Sequence, residues 1–115
     1  VTLNGLYLYL PISTSERKNS DQNHIRLLNT NNKYTMLCIQ DLKLLEKALL
    51  QNYVNYTDRS KIFEYTLTKQ LSSGQIRVYQ DISKINGKRN KYVIKISGIW
   101  ETSEKIGITY KILEL

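Results

Sequence analysis

Apolar and polar residues alternate strictly near the start of the chain. Residues 6–10 have the sequence LYLYL. This period of two predicts a β-strand with its leucines on the buried face and its tyrosines on the other. Pro11 ends the strand. Residues 13–23 contain no apolar side chain, so we expect a long flexible loop there.

Two further runs predict a hairpin. HIRLL, residues 24–28, and KYTMLCIQ, residues 33–40, flank an Asn-rich segment. Asn tolerates the left-handed conformations of tight turns, so the two runs are expected to pair as strands. Because residues 33–40 are largely apolar, we expect them to form a central strand that is covered on both faces.

A helix is predicted over residues 41–54. Asp41 is placed to cap its N-terminus, and Leu42, Leu45, Leu49 and Tyr53 follow at helical spacing. The polar residues between them, Glu46 included, are expected on the solvent side. Such an amphipathic helix is expected to pack on one face of a sheet.

The segment from residue 56 to residue 74 is ambiguous. Phe63, Leu67 and Leu71 lie four residues apart and precede Gly74, a pattern that favours a helix with a glycine at its end. Several β-branched and aromatic residues in the same segment favour a strand. We expect an extended chain near 61–66 and a helical turn at 67–73.

The last third of the chain predicts three strands. They cover residues 75–82, 92–100 and 106–115, and short polar turns favour an antiparallel meander. Gly98 suggests a bulge or a close backbone approach in the middle strand. Trp100 follows the alternation of Ile94 and Ile96, which places it on the inner face.

Together these elements predict a single α+β domain over residues 1–115. Its expected architecture is a curved antiparallel sheet of five or six strands, with one main amphipathic helix, about 41–54, packed on one face. A length of 115 residues suits one hydrophobic core.

Charge adds a preference for polyanionic partners. The chain has a net charge of +7, and residues 61–115 contain ten basic and five acidic residues. Basic side chains bind phosphates, and aromatic side chains between them stack on bases. The candidate nucleic-acid-binding residues are Arg77, Tyr79, Lys84, Lys88, Arg89, Lys91, Lys95 and Lys111. Four of them lie in the predicted turn 84–91, which is alternatively a solvated hairpin tip.

The sequence provides no pattern for catalysis. Its carboxylates form no spaced pair, its single His has no Cys or acid beside it, and no glycine-rich phosphate loop or metal-ligand cluster is present. We therefore expect neither an enzyme nor a cofactor or metal. The single cysteine, Cys38, favours a reducing intracellular compartment. The first residues are too short for a signal peptide, and no apolar run is long enough to span a membrane.

One segment resembles known sequences. YVIKISGIWETSEKIGITYKI, residues 92–112, resembles the C-terminal part of small uncharacterised proteins of large eukaryotic DNA viruses. The resemblance implies a viral origin, in the cytoplasm or nucleus of a host cell. It also implies a fixed β-hairpin in which Gly98 and Gly107 give the backbone room. It carries no site residues.

Two functions from different classes follow. The first is a non-enzymatic module that binds nucleic acid, preferably single-stranded, through a sheet face with Arg77, Tyr79, Lys95 and Lys111 and through the 84–91 turn. The second is a structural or protein-interaction module, such as a virion component, an adaptor or a host-factor inhibitor. It would form homo-oligomers or bind a protein through Tyr-rich edge strands at residues 1–10 or 106–115.

Overall fold

A computed structural model describes residues 2–16, 25–57, 60–80 and 91–115. It contains seven strands and two helices. In chain order they are β1 (Thr2–Leu10), β2 (Thr14–Glu16), β3 (Ile25–Leu28), α1 (Lys33–Thr57), β4 (Ile62–Phe63), α2 (Thr66–Ser72), β5 (Gln75–Gln80), β6 (Tyr92–Glu101) and β7 (Lys105–Glu114).

The seven strands form one open sheet in the order β1-β6-β7-β5-β3-β2, with β4 paired to β7. The α+β class and the single main helix are confirmed, but the sheet is mixed and not purely antiparallel. β5 and β4 both run parallel to β7. The predicted meander is therefore wrong: β5 lies beside β7, and β6 lies between β1 and β7. β7 is a central strand. Of the two segments predicted as edge strands, residues 1–10 and 106–115, only the first lies at an edge of the sheet.

Helix α1 begins eight residues before the predicted start. The Asn32 Oδ1 atom accepts a hydrogen bond from the Thr35 backbone N–H at 3.0 Å, the geometry of an N-terminal cap. Asp41 is exposed in mid-helix and is not a cap. The predicted strand at 33–40 is wrong, because the buried side chains of α1 keep helical spacing throughout. They are Thr35, Cys38, Ile39, Leu42, Glu46 and Leu50.

The ambiguous segment contains both predicted conformations. β4 is a two-residue strand, and α2 follows it at Thr66–Ser72, close to the expected helical turn. The expectation that Glu46 faces solvent is wrong. Its carboxylate is fully buried and accepts hydrogen bonds from the backbone N–H groups of Leu67 at 3.0 Å and Thr68 at 2.9 Å. Glu46 thus caps α2 from α1 and fixes the two helices together.

The core lies between the sheet and the two helices. Ile94, Ile96 and Ile112 from the sheet form one buried cluster with Leu50 from α1 and Leu67 from α2. Because strand side chains alternate between faces, the intervening residues point to the other side of the sheet. We call that side, formed by the outward residues of β1, β6, β7 and β5, the open face.

A bulge in β6 changes the face on which Trp100 lies. Ile96 pairs with Tyr110 and Gly98 with Thr109, so one extra residue sits in β6. The bulge predicted at Gly98 is confirmed. Beyond it the alternation is inverted, and Trp100 pairs with Gly107 on the open face. The prediction that Trp100 lies on the inner face is wrong for this reason.

A buried polar network ties the strand ends together. Arg26 is 6 % exposed and donates two hydrogen bonds, each 2.9 Å, to the Glu114 carboxylate. Tyr92, fully buried, donates from its hydroxyl to the same carboxylate at 2.9 Å and lies 2.5 Å from the Thr14 hydroxyl. Burial raises the pKa of Tyr92, and so does Glu114 to a smaller extent, whereas Thr14 and Arg26 lower it in part. Each buried polar group thereby gains a partner.

Two predicted loops fall largely outside the described residues. Part of the expected flexible loop 13–23 is strand β2, and residues 17–23 lie outside the described residues. Of the 84–91 turn, only Lys91 is described. Among the described residues, no helix combines the length and the apolar character needed to cross a membrane.

Candidate nucleic-acid interface

The open face carries positive charge and exposed aromatic rings. The strand register places Tyr7 beside Lys95, and Lys95 beside Lys111, on three neighbouring strands. β5, on the other side of β7, adds Arg77 and Tyr79. The helices pack on the opposite side of the sheet. In the described parts of β1, β5, β6 and β7, no outward position is occupied by Asp or Glu.

Tyr79 stands between two cations. The Arg77 guanidinium carbon lies 5.9 Å from the centre of the Tyr79 ring, and the Lys111 Nζ lies 5.1 Å from it. Both distances are within the range of cation–π attraction. The ring itself is 41 % exposed. A half-exposed ring flanked by cations is suited to stacking on a base while the cations contact the adjacent phosphates.

A second cation–aromatic pair lies on the other side of the face. The Lys95 Nζ is 5.7 Å from the centre of the Tyr7 ring, and Tyr7 is 55 % exposed. Gly5 makes room for this ring: with φ at 101°, it has a conformation that favours glycine. A Cβ atom there would lie 3.0 Å from the Tyr7 ring and 3.6 Å from the Lys95 side chain.

The two pairs meet at two lysines that lie directly opposite each other. Lys95 and Lys111 are cross-strand partners in the β6–β7 ladder. Like charges in such a pair oppose folding by roughly 0.2–1 kcal/mol. Each ammonium group lies near a different tyrosine, Lys95 near Tyr7 and Lys111 near Tyr79. Among the described residues, no carboxylate lies between these two cations. An anionic group such as a phosphate, bound between them, would therefore stabilise the pair.

The structure brings together four of the eight predicted residues. Arg77, Tyr79, Lys95 and Lys111 share the open face. Lys91 is exposed just before β6, and its carbonyl accepts the Leu115 backbone N–H at 2.9 Å. The remaining three, Lys84, Lys88 and Arg89, lie outside the described residues.

Three aromatic residues on this face, Tyr7, Tyr9 and Trp100, were not predicted as site residues. Tyr7 lies beside Lys95, and its place on the outward side of β1 follows from the LYLYL alternation. Its neighbour across the sheet depends on the strand order, which the sequence does not give. Trp100 lies flat against Gly107, where a Cβ atom would overlap the indole ring. Its position was obscured by the bulge.

Four of the described glutamates outside the open face have structural contacts. Glu46 caps α2, and Glu114 pairs with Arg26. Glu101 accepts the Tyr53 hydroxyl at 2.6 Å and lies 3.2 Å from the Lys61 Nζ. Glu64 pairs with Lys69 at 2.6 Å. No group of three or more His, Cys, Asp or Glu side chains is arranged to hold a metal ion within the described ranges.

Cys38 is a poor nucleophile in this fold. Burial, and secondly the charge of Asp41, raises the pKa of its thiol from the usual 9.0 to about 11. The thiolate is the reactive form, so at neutral pH the thiol is almost entirely inert.

Comparison with known proteins gives no match. No protein-family model matches the sequence, and neither a curated protein nor a solved structure is detectably similar to it. The resemblance of residues 92–112 to viral proteins stays a prediction.

Proposed function

We propose that the protein is a non-enzymatic module that binds single-stranded nucleic acid on the open face of its sheet. The observation that carries the proposal is the cluster of three cations and two exposed tyrosines on that face, namely Arg77, Lys95, Lys111, Tyr7 and Tyr79. The cations bind phosphates, and the rings stack on bases.

The exposed rings favour single strands over duplexes. In a duplex the bases are stacked on each other and offer only their edges in the grooves, whereas unpaired bases offer their faces. Tyr7 and Tyr79 are about half exposed on a sheet surface, where an unpaired base can lie on each ring. Antiparallel sheet faces with exposed aromatics are a known platform for two or three stacked bases.

The basic residues of the 84–91 turn belong to the same proposal. Lys91 precedes β6, the strand that carries Lys95. Lys84, Lys88 and Arg89 precede it in sequence, so they add positive charge to the chain shortly before that strand. Electrostatic contacts of this kind supply affinity without sequence preference. The proposed compartment is intracellular, as the single free thiol favours.

The test is fluorescence anisotropy with a labelled single-stranded oligonucleotide and its duplex. We expect the single strand to bind more tightly at low salt, with an affinity that falls steeply as salt increases. The variant Tyr79→Ala removes a stacking ring worth about 1–3 kcal/mol, so it should weaken binding about 5- to 150-fold. Tyr56→Ala is the matched control, because Tyr56 is 88 % exposed on α1, on the other side of the sheet.

A double variant tests the predicted turn 84–91. Lys88→Glu with Arg89→Glu should weaken binding and reduce its salt dependence. Absence of binding at low salt, or binding that neither set of changes affects, would refute the proposal. The protein-interaction alternative is favoured by one observation, the uncharged edge of β1.

A further inference from the structure

β1 is a long edge strand, and its section Leu6–Leu10 lacks the usual protection. It ends the sheet on one side, whereas the opposite edge is β2, which has only three residues. Edges are normally blunted by charged residues, by proline, by bulges or by shortness. β1 has nine residues and no charged side chain. Its pairing is irregular between Thr2 and Leu6, so Leu6–Leu10 is the section with a regular register.

An apolar groove runs beside this edge on the helix side. It has a volume of about 280 Å³ and lies between β1 and α1, with Leu8, Leu10, Tyr34 and Leu37 among its lining residues. Tyr34 is 68 % exposed and Leu37 47 %. A second apolar cavity, of about 450 Å³, lies between α1 and β6 and includes Ile96, the cross-strand partner of Leu6. Helix α1 therefore leaves the β1 side of the sheet incompletely covered.

The sequence of the regular section identifies the occupant. Residues 6–10 have the sequence LYLYL, which is the same in both directions. When an antiparallel strand of identical sequence pairs with it about Leu8, every leucine meets a leucine and every tyrosine meets a tyrosine. A two-fold symmetric interface needs a patch that is complementary to itself, and this section meets that need by pairing like side chains with like.

We propose that two copies of the chain associate through their β1 strands, paired antiparallel about a two-fold axis at Leu8. Leu6 of the second copy then lies opposite Leu10, which lines the 280 Å³ groove. Tyr7 lies opposite Tyr9 of the second copy on the other face, where aromatic pairs across strands add stability. The edge itself is uncharged, so two chains with a net charge of +7 meet at a neutral section.

The dimer joins the two sheets into one. The open faces of both copies become continuous, and the Tyr7–Lys95 pairs of the two copies lie on either side of the axis. The dimer does not depend on nucleic acid, so its test is made without it. Its failure would leave the binding proposal standing, and the reverse also holds.

The first test is the mass in solution. We expect light scattering coupled to size-exclusion chromatography to give twice the 13.5 kDa of one chain. Leu6→Lys should give the monomer mass, because it places two charged side chains in the two-fold interface, each opposite the apolar Leu10 of the other copy. Leu6 is 39 % exposed, so the monomer itself should tolerate the change, which circular dichroism checks. Ile62→Lys is the control: Ile62 is 60 % exposed in β4 and should leave the dimer intact.

The second test places a cysteine on the proposed two-fold axis. Leu8→Cys places two thiols opposite each other across it, at the 4.5–5.5 Å between Cβ atoms that is roughly typical of cross-strand pairs and near the range for a disulfide. Under mild oxidation we expect a covalent dimer on a non-reducing gel. Wild type contains only the buried Cys38 and should give none. A monomer mass for wild type overturns the proposal, as does a dimer that Leu6→Lys leaves unchanged or that Leu8→Cys does not cross-link.

Discussion

Replacement of Lys111 by glutamate separates folding from binding at the centre of the open face. Lys111 lies directly opposite Lys95 and 5.1 Å from the Tyr79 ring. Lys111→Glu converts a repulsive cross-strand pair into an attractive one. Each of these terms is worth roughly 0.2–1 kcal/mol, so the pair gains about 1 kcal/mol in the free energy of unfolding.

The same change removes a cation–π contact. At an exposed site that contact is worth about 0.5–1 kcal/mol, so the two effects nearly cancel. We expect the free energy of unfolding of Lys111→Glu to lie within about 1 kcal/mol of wild type, in the range for surface changes. Urea denaturation followed by the fluorescence of Trp100 measures it, since Trp100 is the one tryptophan of the chain.

Binding should respond much more strongly than stability. A hydrogen bond to a charged group is worth about 1.5–3 kcal/mol, so loss of the Lys111 contact weakens oligonucleotide binding by at least about tenfold. The slope of log K against log salt should fall by about 0.7 for the lost phosphate contact. Lys47→Glu makes the same charge change on α1 and is the matched control, because Lys47 is exposed on the other side of the sheet.

Equal loss of affinity in the two variants would refute the reasoning. It would mean that net charge, and not the open face, determines binding. Loss of more than about 2 kcal/mol of stability in Lys111→Glu would refute the account of the Lys95–Lys111 pair.

Three further predictions concern the buried polar groups. Glu46→Ala leaves two backbone N–H groups of α2 buried without their acceptor, so it should cost about 2–5 kcal/mol in urea denaturation, and Glu46→Gln should cost less. Arg26→Met removes the cation that pairs with the Glu114 carboxylate and should cost about 3–5 kcal/mol, much of it recovered in the double variant with Glu114→Leu. The pKa of Cys38 is raised from 9.0 to about 11, so as pH increases the unfolded chain loses this proton first. The contribution of Cys38 to the free energy of unfolding is therefore complete below about pH 9 and declines between pH 9 and 11, by about 2–3 kcal/mol at most. Cys38→Ala should flatten that decline in pH-dependent thermal melts. Unaltered stability in Glu46→Ala would contradict the first prediction, and unaltered stability in Arg26→Met would contradict the second. A decline in Cys38→Ala equal to that of wild type would contradict the third.

The α+β class could be predicted because its main elements have strong periodicity. The LYLYL alternation gives β1, and Leu42 and Leu49 give the second half of α1. The first half of α1 was mistaken for a strand because its exposed positions include apolar residues such as Met36 and Leu37. Exposed apolar residues hide the helical stripe, and only the buried residues keep the spacing.

The strand order could not be predicted from local patterns. β5 pairs parallel to β7 through contacts between residues more than thirty positions apart, such as Val78 and Ile112. For the same reason, only part of the candidate site could be predicted from the sequence. Arg77, Lys95 and Lys111 were assigned to one face by alternation, whereas the neighbours of Tyr79 follow from the order of the strands.

The most direct test of the binding face is a titration of ¹⁵N-labelled protein with a short single-stranded oligonucleotide, followed by amide chemical shifts. We predict salt-sensitive shifts that concentrate on β5, β6 and β7 around Arg77, Tyr79, Lys95 and Lys111, with the exposed side of α1 unaffected. Shifts confined to α1, or spread evenly over the exposed lysines of every face, would contradict the account.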